Sequence, residues 1–122
     1  MNNFPNENDL LSLFECEPTL FDTTSKDFFY NEATYKFSNG DEDFTVTLSP
    51  SYSEVKIQVI QRTSNKLIAL LDLKRVDKFE ITTDKKDLSS VLLRNQNDDF
   101  TQTIEIDFKP MFKLIFKEHY TE

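Results

Sequence analysis

One glycine, one cysteine, one histidine and no tryptophan occur in this chain, and no apolar run approaches the ~18 residues of a membrane span. Each scarcity removes a class of mechanism. A single glycine excludes the glycine-rich phosphate loop and the dinucleotide fingerprint, which need several backbone positions without a Cβ. One cysteine, Cys16, excludes an internal disulfide and any thiolate-only metal cluster, and it fits a reducing compartment. The lone histidine, His119, stands near the end of the sequence, where chains fray, so a Ser-His-Asp or Cys-His mechanism has little to rest on. With no base, nucleophile or cofactor motif in a credible arrangement, we expect no enzyme and no cofactor.

The first residues, MNNFPNEND, carry neither the basic end nor the apolar core of a secretion signal. A cytoplasmic protein is expected. The 122 residues suit a single domain, 1–122, long enough to bury a core without disulfides or metal. Twelve Phe and four Tyr make the chain too apolar for disorder despite its 30% charged residues.

Charge is unevenly placed. Residues 1–54 hold 11 acids against 2 bases, a net of −9, whereas residues 55–122 hold 11 acids against 12 bases, a net of +1. An acidic first half disfavours nucleic acid and anionic membranes as partners and suits a basic protein.

Leu10, Leu13 and Phe14 recur at helical spacing behind Asn8 or Asp9 as N-cap, which predicts a short helix over about 9–16, stopped by Pro18. TLFDTTSKDFFYNEA, residues 19–33, shows no clear period and reads as a loop entering a strand. From Thr34 onward the pattern has period two. Tyr35 and Phe37, then Phe44, Val46 and Leu48, flank Asn39-Gly40, a strong hairpin signal with the only glycine placed where positive φ is needed. Val55, Ile57 and Val59 mark the next strand. In KLIALLDLK both faces are apolar, which predicts a central or doubly covered strand. Phe79 and Ile81 follow, then a turn near Asp84 to Leu88 and a strand over Val91 to Arg94. The expected fold class is α+β and mainly β, a strongly curved antiparallel sheet or partial barrel of six to eight strands, from about 28 to 117, with one N-terminal helix.

TIEIDFKPMFKLIFKEHY, residues 103–120, keeps large apolar residues on one parity through Pro110. A straight strand over residues 102–116 spans ~50 Å, longer than a domain of this size is wide. Two geometries remain. One is a hairpin over Lys109 to Met111 pairing Ile106 with Leu114 and Ile104 with Phe116; the other is a single strand bent near Pro110. Met111 lacks the left-handed preference that such a hairpin wants, which favours the bend.

Polar clusters carry little chemistry. Asp41, Glu42 and Asp43 surround the glycine turn without EF-hand spacing, so no metal is expected there. Glu105 and Asp107 share the charged face of a half-buried strand, and Cys16 suits a small hydrophobe better than a thiolate. The remaining candidates are aromatics of the acidic half, Phe28, Phe29, Tyr30, Tyr35 and Tyr52, because aromatic anchors ringed by acids make a surface for a basic protein. The partner-binding residues expected are Asp41, Glu42, Asp43, Tyr35 and Tyr52. The function expected is a non-catalytic binding protein whose acidic half engages a basic macromolecule, as an inhibitor or immunity-type protein. Alternatives are a carrier of a small apolar ligand in a Phe-lined barrel and a self-associating structural module, a homo-oligomer built through strand edges.

Overall fold

The computed structural model describes residues 3–25 and 27–120. Met1, Asn2 and Lys26, which entered the readings of charge and N-terminus, lie outside the described residues, as do Thr121 and Glu122.

Helix α1 spans Glu7–Phe14 and buries Leu10, Leu13 and Phe14. It starts earlier than the spacing predicts because Asn6, and neither Asn8 nor Asp9, caps it: the Asn6 side chain accepts from the Asp9 amide at 2.8 Å. Glu15, in the left-handed region at φ 56°, ends it before Pro18 is reached.

Strands β1 (Thr19–Leu20), β2 (Ala33–Ser38), β3 (Glu42–Ser49), β4 (Glu54–Gln61) and β5 (Lys66–Leu73) form one antiparallel sheet in chain order. Strands β6 (Lys78–Lys85), β7 (Leu88–Gln96), β8 (Phe100–Lys109) and β9 (Lys113–Tyr120) form a second. The fold is thus mainly β with one helix, as the alternation predicts. Among the described residues the strands number nine and divide between two sheets that do not close into a barrel.

Three local differences account for this. The segment around Asp84 stays in β6, and the chain reverses at Lys86-Asp87, pairing Lys85 with Leu88. The short β1 adds to β2 within the stretch that showed no period. At Pro110 the chain folds back, so the bend that turn chemistry favoured gives way to the hairpin, in which Ile104 faces Phe116 and Ile106 faces Leu114. The Lys109–Pro110 peptide is cis, a turn class that a tally of left-handed residues does not consider.

Alternation decides which side of each strand is buried. Tyr35, Phe44, Val46, Leu48, Val55, Ile57 and Val59 from the first sheet meet Val91, Leu93, Ile106 and Phe108 from the second in one core. Phe108 of β8 packs on Phe37 and Phe44 of β2 and β3, with ring centroids 5.4 and 5.2 Å apart. Ile104 of the same strand lines a small cavity with Leu73 of β5. Strand β8 therefore reaches from β5 at Ile104 to β2 and β3 at Phe108 across the face of the first sheet.

The doubly apolar β5 is an edge strand, not a central one, and it exposes Leu67, Ile68 and Leu70. Two consecutive apolar faces cannot distinguish a covered strand from one with a bare outer face. Ile68 is an extra residue in the β4–β5 ladder, and bulges of this kind blunt an edge against further pairing.

Candidate functional site

The predicted binding residues do not converge. Tyr35 is 0% exposed and packs against Phe14 at 4.8 Å between centroids, so it belongs to the core and offers a partner no surface. Its parity matches that of Val46, directly across the ladder, and this places it inside. Tyr52 is exposed but sits in the 3-10 turn Pro50–Tyr52 after β3, while Asp41 to Asp43 stand at the start of β3. Eight strand residues separate the two ends, about 25 Å at the usual rise.

At the hairpin tip the acids are partly committed. Glu42 accepts from Asn39 Nδ2 at 2.6 Å and from the Phe112 amide at 3.2 Å, tying the tip to the β8–β9 turn. Asn39 donates again to the Phe108 carbonyl at 2.8 Å. Asp43 meets Arg62 at 3.3 Å. Only Asp41 has a side chain with no hydrogen-bond or ion-pair partner among the described residues. The turn works as a clasp between the sheets.

The opposite end of the first sheet differs. A hollow of about 410 Å³ there is lined by Phe21, Asp22, Tyr30, Asn31, Glu32, Ser49, Tyr52 and Glu54. Its three rings stand in solvent, with Phe21 83%, Tyr30 72% and Tyr52 74% exposed. Exposed aromatics gathered in one concavity are unusual on a surface that has no use for them.

Three anchors fix its walls. The buried Asn31 donates through Nδ2 to the Asp22 carbonyl at 2.8 Å and accepts at Oδ1 from the amides of Asp22 and Glu32 at 3.1 and 2.9 Å. The Phe21 amide donates to the Glu32 carbonyl at 2.9 Å, and the Ser51 amide to the Phe29 carbonyl at 3.1 Å. The segments carrying Phe21, Tyr30 and Tyr52 are thus stitched together by backbone bonds rather than left as loose loops.

The floor is a rung of the sheet. Ala33 pairs with Leu48, and Ser49 with Glu54, so Glu32, Ser49 and Glu54 follow one another across three adjacent strand ends. Their neighbours Ala33, Leu48 and Val55 point into the core, so alternation turns all three outward. Ser49 is 7% exposed, and its hydroxyl has no hydrogen-bond partner among the described residues. Neither do the carboxylates of Glu32 and Glu54, whereas Asp22 is occupied by the Thr24 amide and hydroxyl at 3.0 and 2.7 Å. Those bonds from Thr24 hold the Asp22 carboxyl below its ordinary pKa. The hollow continues along the sheet into a second of about 220 Å³, reaching Lys56, Asp72 and Lys74.

Sequence reasoning missed Phe21, Asn31, Glu32, Ser49 and Glu54. A signal existed, because the Asn39-Gly40 hairpin sets the β2–β3 register and thereby places residue 32 opposite 49.

Elsewhere little chemistry gathers. His119 is exposed on β9, opposite Thr101. Burial pushes the Cys16 thiol above its ordinary pKa, against thiolate character at neutral pH. The apolar cavity under Leu73, Val76, Leu93, Ile104 and Phe116 holds about 70 Å³, well below the ~300 Å³ of an ordinary ligand pocket. No helix among the described residues is long and apolar enough to cross a membrane.

No protein-family model matches the chain, and no curated protein does. A solved structure does, in fold. The chain resembles one in the contact-dependent growth inhibition toxin - immunity protein complex from Klebsiella pneumoniae 342, with a TM-score of 0.75 and 21% identity over 97% of both chains.

Proposed function

We propose that this chain is a non-catalytic, cytosolic binding protein of the inhibitor or immunity type, which engages a basic protein partner through the aromatic and acidic hollow of its first sheet. The observation that carries the reading is the hollow itself: three exposed rings around two unpartnered carboxylates, on a frame held by Asn31. Aromatic anchors supply contact area at small entropic cost, and the acids steer a cationic partner to them. The net charge of −8 acts in the same direction at longer range. The fold supports the reading, since a chain of the same architecture occurs in a complex between a toxin and an immunity protein.

The carrier alternative loses its support with the small size of the apolar cavity. Pairing through β5 is opposed by its bulge and by Lys66 and Lys74 at its ends.

The test is affinity capture by the immobilised chain, followed by direct binding of the purified partner. Glu32→Gln combined with Glu54→Gln is expected to slow association by roughly tenfold at low salt, and Tyr52→Ala to speed dissociation by a similar factor. Asp41→Asn at the far end leaves both rates unchanged. A partner whose binding ignores the hollow variants and salt alike overturns the proposal.

A further inference from the structure

We infer that the hollow receives one arginine side chain of the partner, with its guanidinium above Ser49 between the carboxylates of Glu32 and Glu54, stacked against the exposed rings. This inference rests on the partner-binding reading and adds the group that is recognised.

The rung explains the choice. Glu32 and Glu54 lie two strand spacings apart, roughly 10 Å between backbones, and both side chains line the hollow with Ser49 between them in the rung. A planar donor with N–H groups on opposite edges fits between them, and the Ser49 hydroxyl below accepts from a third. Guanidinium has five N–H donors in such a fork, whereas ammonium is a compact point charge that satisfies one carboxylate at a time.

The rings make the second argument. Phe21, Tyr30 and Tyr52 line the same space, and a delocalised cation stacks on aromatic rings with less loss of hydration than an ammonium. Ser49 makes the third. Residue Ser49 is more than nine-tenths buried, and its side chain lines the hollow with no hydrogen-bond partner among the described residues, so its hydroxyl is open to a ligand entering there. Among the described residues Glu32 and Glu54 form no ion pair of the kind that occupies Asp43, Asp72, Asp77 and Asp107, although Lys56 and Lys74 line the continuation of the hollow.

The probe is N-acetyl-arginine amide, titrated into the intact chain while the side-chain resonances of Phe21, Tyr30 and Tyr52 are followed by NMR. Saturable shifts confined to the hollow are expected, with a Kd on the order of 1–20 mM for a single charge-assisted and stacked contact. N-acetyl-lysine amide is expected to bind about threefold or more weakly, and the neutral isostere N-acetyl-citrulline amide not measurably. Glu32→Gln with Glu54→Gln weakens the arginine probe about fivefold or more, and Ser49→Ala about twofold, with β7 and β8 amide resonances unchanged as proof of folding. The absence of saturable shifts, or equal shifts from lysine or citrulline, overturns the inference. If partner capture still depends on the hollow, that result removes the arginine and leaves the partner-binding reading standing.

Discussion

The first sheet carries acids at both ends of β3, and the two ends use them differently. At the hairpin tip Glu42 and Asp43 are paired within the chain, and the turn they belong to latches onto the Phe108 carbonyl and Phe112 amide of the second sheet. At the far end Glu32 and Glu54 have no partner among the described residues and stand beside Ser49 and three exposed rings. Equal density of carboxylates thus conceals a structural clasp and a surface open to a partner. What separates them is internal bonding: Asn39, Arg62 and the Phe112 amide bond the acids of the tip, whereas no described residue bonds Glu32 or Glu54.

The sharpest way to break this contrast is to collapse the open end. Asn31→Ala removes three hydrogen bonds and strands two amides, and it is expected to cost about 3 kcal/mol in chemical denaturation and to abolish partner binding. A cost below about 1 kcal/mol with binding retained would show that the hollow does not depend on Asn31. At the closed end, Glu42→Ala leaves the Phe112 amide and Asn39 without their acceptor and should cost about 1–2 kcal/mol while leaving partner binding intact.

Tyr35 sharpens the comparison from between the ends. Its hydroxyl is buried without a hydrogen-bond partner among the described residues, so Tyr35→Phe is expected to stabilise the fold by about 1 kcal/mol with no change in binding. Burial also raises the phenol above its ordinary pKa. The unfolded chain therefore ionises first, and the stability present below pH ~10 is lost as pH rises through the elevated folded value. Denaturation midpoints of Tyr35→Phe should lack that part of the alkaline decline, and an undiminished decline would assign it to other groups. The smallest effect is expected at Asp41, whose exposed side chain has no partner among the described residues: Asp41→Asn should change stability by less than about 0.5 kcal/mol. A larger loss would mean that the tip acts as one electrostatic unit.

Much of the fold was legible because the alternation of apolar residues survives without tertiary help. Phe44, Val46 and Leu48 or Ile104, Ile106 and Phe108 occupy the core face that parity assigns them. Parity also contains the answer for Tyr35, which shares the inward face of Phe37, so its residue type as a partner anchor counts for less than its position in the alternation. The reversal at Pro110 was harder, because paired strands and a bent strand put the same residues inside. Edge and central position were illegible in KLIALLDLK for a similar reason: a strand records its own two faces, and only its neighbours decide whether the outer one is covered.

The hollow required more than any of these. Its rung follows from hairpin register, but Phe21, Tyr30 and Tyr52 come from segments without period, and nothing local links Asp22 to Asn31 or Ser51 to Phe29. The sequence by itself determined an antiparallel, mainly β protein with one helix, a positive-φ turn at Gly40 and an acidic first half, since propensity, alternation and composition act over a few residues. Only the tertiary structure decided which carboxylates are consumed and which stay free, because that depends on donors brought from distant strands by a core whose packing no local pattern encodes.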